Sequence, residues 1–136
     1  MTYVDAYLIP VPRSKLEKYA VFSKQVALVY REHGALRIVD CVLDDAVANG
    51  AEFHAAEARE ALDEAAHPLK DFPDAAGARE GETVILSWTE WPSKEARDKG
   101  LAAATADPRL QPEEGEEQLF EGRRLVAGGF KLLVET

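Results

Sequence analysis

Two carboxylates set inside apolar strands, Asp5 and Asp40, are the residues of this chain best placed to do chemistry. Asp5 lies in the run Tyr3-Val4-Asp5-Ala6-Tyr7, and Asp40 in Ile38-Val39-Asp40-Cys41-Val42. An ionised carboxylate is costly to bury unless it is paired or hydrogen-bonded. A pair of them, with pKa raised, could move a proton or line a polar pocket. The structural alternative is an ion pair with Arg37 or Arg124, or a backbone N–H near a strand end.

Four more positions join Asp40 as ligand-binding candidates: Tyr7, His33, Trp88 and Arg109. His33 precedes Gly34 at a predicted helix end. There it could face the helix C-terminal dipole, or serve as a general base in a cleft. Trp88, Tyr7, Tyr3 and Phe130 could line an aromatic pocket or simply fill the core; Trp88 is the best pocket candidate, and its indole N–H needs a partner when buried. Arg109 follows Asp107-Pro108 and could clamp a carboxylate or phosphate, or pin its own loop to a nearby acid. Cys41, the only cysteine, lies mid-strand, where the residue behaves as a small hydrophobe. His54 and Glu57 share a helix face, but two ligands are too few for a metal site. No catalytic residue is assigned, and no metal or cofactor is expected. A Gly-rich phosphate loop, a nucleophile elbow and a zinc signature are all missing.

The elements that must position these residues are four strands, at 3–11, 35–43, 83–91 and 125–134. Each carries apolar groups at odd and even positions alike, so both faces of their sheet need apolar cover. Pro10 and Pro12 end the first strand. Ser14 and Glu17 form a capping box for a helix over 15–33, whose apolar face runs through Leu16, Tyr19, Ser23, Val26 and Tyr30. Gly34 closes it. Ser93 caps a second helix over 94–106, and Asp107-Pro108 breaks it. Between the halves, 46–81 is an insertion: an accessory helix over 52–66 on the surface, then an irregular return marked by Pro73, Gly77 and Gly81. The stretch 111–122 is an acidic loop anchored by Leu119-Phe120. Gly128-Gly129 marks a bulge or a close approach.

The expected fold is a single α+β domain over 1–136. It is ferredoxin-like, βαββαβ, with a four-stranded antiparallel sheet and both main helices on one face. The other face is too apolar for a monomer to expose, so the partner expected there is a second copy. The net charge of −9, from 16 basic and 25 acidic residues, argues against nucleic acid and anionic membranes as partners. The chain opens directly into a strand, and no apolar run approaches bilayer length, so a cytoplasmic location is expected.

The strings Ile9-Pro10-Val11-Pro12, Arg31-Glu32-His33-Gly34-Ala35-Leu36, Asp40-Cys41-Val42, Ser87-Trp88, Asp107-Pro108-Arg109 and Gly128-Gly129-Phe130, in that order, resemble the YbaA-like family of small bacterial proteins of unknown function. The resemblance implies a dimeric α+β barrel, with a connection shorter than 46–81, and supplies no catalytic residues. Fold alone does not choose a reaction. The expected function is binding or transformation of a small, partly apolar molecule in the barrel cleft. The alternative is a non-catalytic protein-interaction or regulatory module.

Overall fold

The computed structural model describes residues 2–47, 50–58 and 69–136. Four strands, β1 (Tyr3–Pro12), β2 (Arg37–Val42), β3 (Glu82–Trp91) and β4 (Val126–Lys131), form one antiparallel sheet in the order β2-β3-β1-β4. The described helices are α1 (Leu16–Glu32), α2 (Phe72–Ala76) and α3 (Lys94–Ala106). The α+β class and the four antiparallel strands are those expected from the sequence.

Pro10 does not end β1; the strand runs through it, with Pro10 fully buried, and stops at Pro12. Pairing with β4 stops at Leu8, so β1 beyond that point has an open edge, where a residue without an N–H donor is tolerated. The Ser14–Glu17 capping box does not form. The chain enters α1 through a 3₁₀ turn, Arg13–Lys15, which places Ser14 inside the turn, and no side chain caps the helix. At α3 the expected cap is present: the Ala96 N–H donates to Ser93 Oγ at 3.0 Å. Gly34, with φ of 107°, turns the chain out of α1 towards β2.

Strand alternation divides the sheet into two faces. On one, Ile9, Val11 and Ile85 pack with Tyr19 of α1 as the core. Trp91, also on this face, is completely buried and packs against Tyr30, with ring centroids 6.2 Å apart. Gly100 of α3 makes that packing possible: a Cβ there would collide with the Trp91 ring and the His33 carbonyl. Both long helices therefore cover this face.

The opposite face carries Val4, Leu8, Leu86, Trp88, Val126 and Phe130. Its cover is partial. Helix α2 contacts β1 and β3, with Phe72 beside Val84 and Leu86, and Pro10 and Val84 are buried at that end. Towards β4 no described element covers the face, and Phe130 is 57% exposed. The return segment is thus less irregular than the sequence indicates. Asp71 caps α2 by accepting from the Asp74 N–H at 2.9 Å, and Gly77, at φ 67°, ends it in the left-handed conformation. Of the accessory helix expected over 52–66, the described part holds the end of a 3₁₀ turn, Gly50–Phe53, and helical residues 56–58; the rest, and His67, lie outside the described residues.

Strand β4 has no bulge, since its register with β1 is continuous from Val126↔Leu8 to Lys131↔Tyr3. The glycine pair instead serves a close approach: the Tyr3 hydroxyl occupies the space that a Cβ on Gly129 would need. The acidic loop is anchored as expected. Phe120 packs on Tyr19 and Phe22, with centroids 6.0 and 6.2 Å apart, and Lys18 holds Glu117 at 2.7 Å.

Candidate functional site

Register on the helix-covered face sets Tyr7, Ser87 and Asp40 in one row across β1, β3 and β2. The neighbouring row, towards Trp91, is Asp5, Thr89 and Ile38. Above the first row, Tyr19, Ser23, Val26 and Tyr30 line one stripe of α1, at helical spacing. Between stripe and row lies an open cleft of about 290 Å³. Ile9, Phe22, Val26, Ile38, Leu110 and Phe120 give it apolar walls. Tyrosine, serine and threonine hydroxyls and the single carboxylate of Asp40 give it polar points.

Small side chains keep the cleft open where the two layers face each other. Ser23 and Ser87 stand at positions where larger residues would close the gap, and the Asp40 carboxylate accepts a hydrogen bond from the Ser23 hydroxyl. Burial is the main cause that raises the pKa of Tyr7, Tyr19 and Tyr30. Negative charge on Asp5 adds to the effect at Tyr7 and Tyr30, and charge on Asp40 adds to it at Tyr19. All three phenols therefore stay neutral at physiological pH and can donate. The cleft thus offers hydroxyl donors, one carboxylate acceptor and aromatic surface.

The five candidate residues fall into three places. Tyr7 and Asp40 come together in the cleft. His33 and Arg109 meet elsewhere, where α1 and α3 end. His33 Nε2 lies 3.0 Å from Asp107 Oδ2, and Arg109 holds both Asp107, at 2.9 Å, and Glu32. Hydrogen bonds from Arg109, and then His33, keep the Asp107 carboxyl well below the usual carboxylate range. Trp88 stands on the opposite face of the sheet, where its indole donates to Glu90 Oε2 at 3.1 Å.

Asp5 meets neither Asp40 nor the arginines expected for it. It accepts from the Trp91 indole at 3.0 Å and from Arg97 at 2.9 Å, with its side chain only 3% exposed. Arg37 instead pairs with Glu90 and Arg124 with Glu82, at 3.1 and 2.7 Å. Sequence reasoning also left Tyr19, Ser23, Tyr30, Ser87 and Thr89 out of the site. A serine within the otherwise apolar stripe of α1 was the available signal, since a polar group there must face either a partner or a cavity.

Among the described residues, no group of three or more His, Cys, Asp or Glu side chains is placed to hold a metal ion, and no helix is long and apolar enough to cross a membrane. Residues 2–122 match the family described as "Protein of unknown function (DUF1428)". The chain is 36% identical over 135 residues to the uncharacterized protein YbaA of Escherichia coli strain K12, and equally to that of Escherichia coli O157:H7 and of Shigella flexneri. Those alignments span 99% of this chain and 99% of each relative. On this match the chain belongs to the DUF1428 family of unknown function, the YbaA-like proteins.

Proposed function

We propose that this protein is a homodimer, a barrel of two ferredoxin-like halves, which binds or transforms a small, partly apolar molecule in the cleft between α1 and the sheet. One observation carries the reading. The row Tyr7-Ser87-Asp40 faces an unfilled cleft, while Trp91, Val11 and Ile85 on the same face are buried in close packing. An apolar cleft with a few convergent polar groups is the usual form of a small-molecule site. The central position of β1 and β3, with both long helices on one face, supports the ferredoxin-like arrangement. The exposed apolar surface around Phe130 and Val126 supports a second copy as its cover.

A thermal-shift screen of a metabolite library, run on the natural chain and on Ser23→Leu, tests the site. The leucine fills the cleft from α1, so a true cleft ligand shifts the natural protein and not the folded variant. A hit that both bind equally places the ligand elsewhere. Light scattering at micromolar concentration tests the assembly, and a monomer mass removes the barrel. A second reading, a non-catalytic interaction module, rests on Phe53, which is 78% exposed. It gains weight if no library member shifts the natural chain.

A further inference from the structure

The sheet treats its carboxylates unequally. Its strands carry Asp5, Asp40, Glu82 and Glu90. Arginine neutralises three of them: Arg97 holds Asp5, Arg124 holds Glu82, and Arg37 holds Glu90. Among the described residues Asp40 has only the Ser23 hydroxyl. It is also the one carboxylate that lines the cleft, and no lysine, arginine or histidine lines the cleft with it; Lys24 lines the adjoining groove that Asp40 also borders, outside the cleft.

From this we infer that the cleft takes an organic cation, an amine with an apolar body the size of one ring, whose ammonium pairs with Asp40. The inference rests on the small-molecule reading above and narrows it. An anionic ligand would meet Asp40 with no compensating charge, and like charges at contact are unfavourable in a partly apolar setting. A cation gains twice. It pairs with the carboxylate, and it lies near the Tyr19 ring, which borders Asp40 and whose face attracts positive charge. The net charge of −9 draws cations towards the protein from a distance. Size points the same way: about 290 Å³ is at the lower end of small-molecule sites, which suits a single ring and not a nucleotide. Asp40 is exposed while Tyr7 and Tyr30 lie deeper, so the ammonium sits at the mouth and the ring points inward.

Three probes of nearly one shape test this: phenethylammonium, 2-phenylethanol and 3-phenylpropionate. Binding is followed by NMR, through the ring resonances of Tyr7, Tyr19 and Tyr30, in low salt. The expected order is ammonium first, the alcohol weaker by about tenfold, and the carboxylate weakest. Asp40→Asn is expected to bring the ammonium down to the alcohol, and added salt to do so partly in the natural chain. Equal binding of ammonium and alcohol, or tightest binding of the carboxylate, overturns the charge inference and leaves the cleft as a neutral or anionic site. If no probe moves the tyrosines, this inference and the cleft reading fall together.

Discussion

Asp5 and Asp40 occupy adjacent rows of one sheet face, under the same helix layer, yet their surroundings are opposite. Asp5 is sealed. Trp91 fills the space beside it, Arg97 reaches it from α3, and Gly100 lets that helix come close. Asp40 is open, held by a serine hydroxyl and flanked by a cleft. The difference is one of closure. At the Asp5 end the charge is cancelled within the chain, as a buried charge must be. At the Asp40 end the charge stays in contact with water, so the chain has no need to cancel it, and the proposed ligand would.

Substitutions that open the sealed end should have the largest effects. Asp5→Ala is expected to destabilise the fold by about 3–5 kcal/mol, because it leaves the buried Trp91 indole without its acceptor and Arg97 with Asp98 alone. Urea denaturation measures it, and a loss below about 1 kcal/mol would mean that water already serves these groups. Gly100→Ala comes next. A methyl group gains about 1 kcal/mol in helix propensity but collides with Trp91 and the His33 carbonyl, and a net loss of about 1–3 kcal/mol is expected. A more stable variant would show that α3 can stand off without cost.

A third carboxylate extends the comparison to pH. Arg124 hydrogen bonds lower the Glu82 carboxyl from 4.5 to about 2 in the folded chain. A depressed folded value means that the stabilisation is complete above pH 4.5 and is lost as pH falls towards 2. Arg124→Met should therefore flatten the acid limb of a stability–pH curve between those values while leaving its slope above pH 6 unchanged. An identical acid limb would assign acid sensitivity to other groups. Asp40→Asn should have the smallest effect on folding, within about 0.5 kcal/mol, since an exposed acceptor is exchanged for another. A loss comparable to that of Asp5→Ala would erase the contrast between the two ends.

Much of the architecture was legible in local sequence because local rules decide it. The four apolar runs became the four strands, and Ser93 caps α3 as its position before Lys94 implies. Pro10 misled because the strand rule depends on pairing, and pairing of β1 with β4 stops short of it. The partner of Asp5 was hidden for another reason: Arg97 is 92 residues away, and only the packing of α3 brings it near. Gly100 was a usable hint, since a glycine inside a helix often marks close packing. For the tryptophans, a spacing of three within one strand already puts Trp88 and Trp91 on opposite faces. Which face the helices would cover depended on tertiary structure, and Trp91, not Trp88, is the ring they bury. In the site, Tyr7 and Asp40 were visible as polar interruptions of apolar strands, whereas Tyr19 and Tyr30 read only as core.

Helix α2 has a consequence for assembly. Among the described residues it is the helix that roofs one corner of the side of the sheet away from α1 and α3, above Pro10 and Val84. Any body laid on that side must therefore sit off-centre, displaced towards Phe130 and away from the roofed corner. In the proposed dimer the stretch between β2 and β3 would thus act as a spacer that sets where the second copy rests, and trimming it would move the symmetry axis before it touched the cleft.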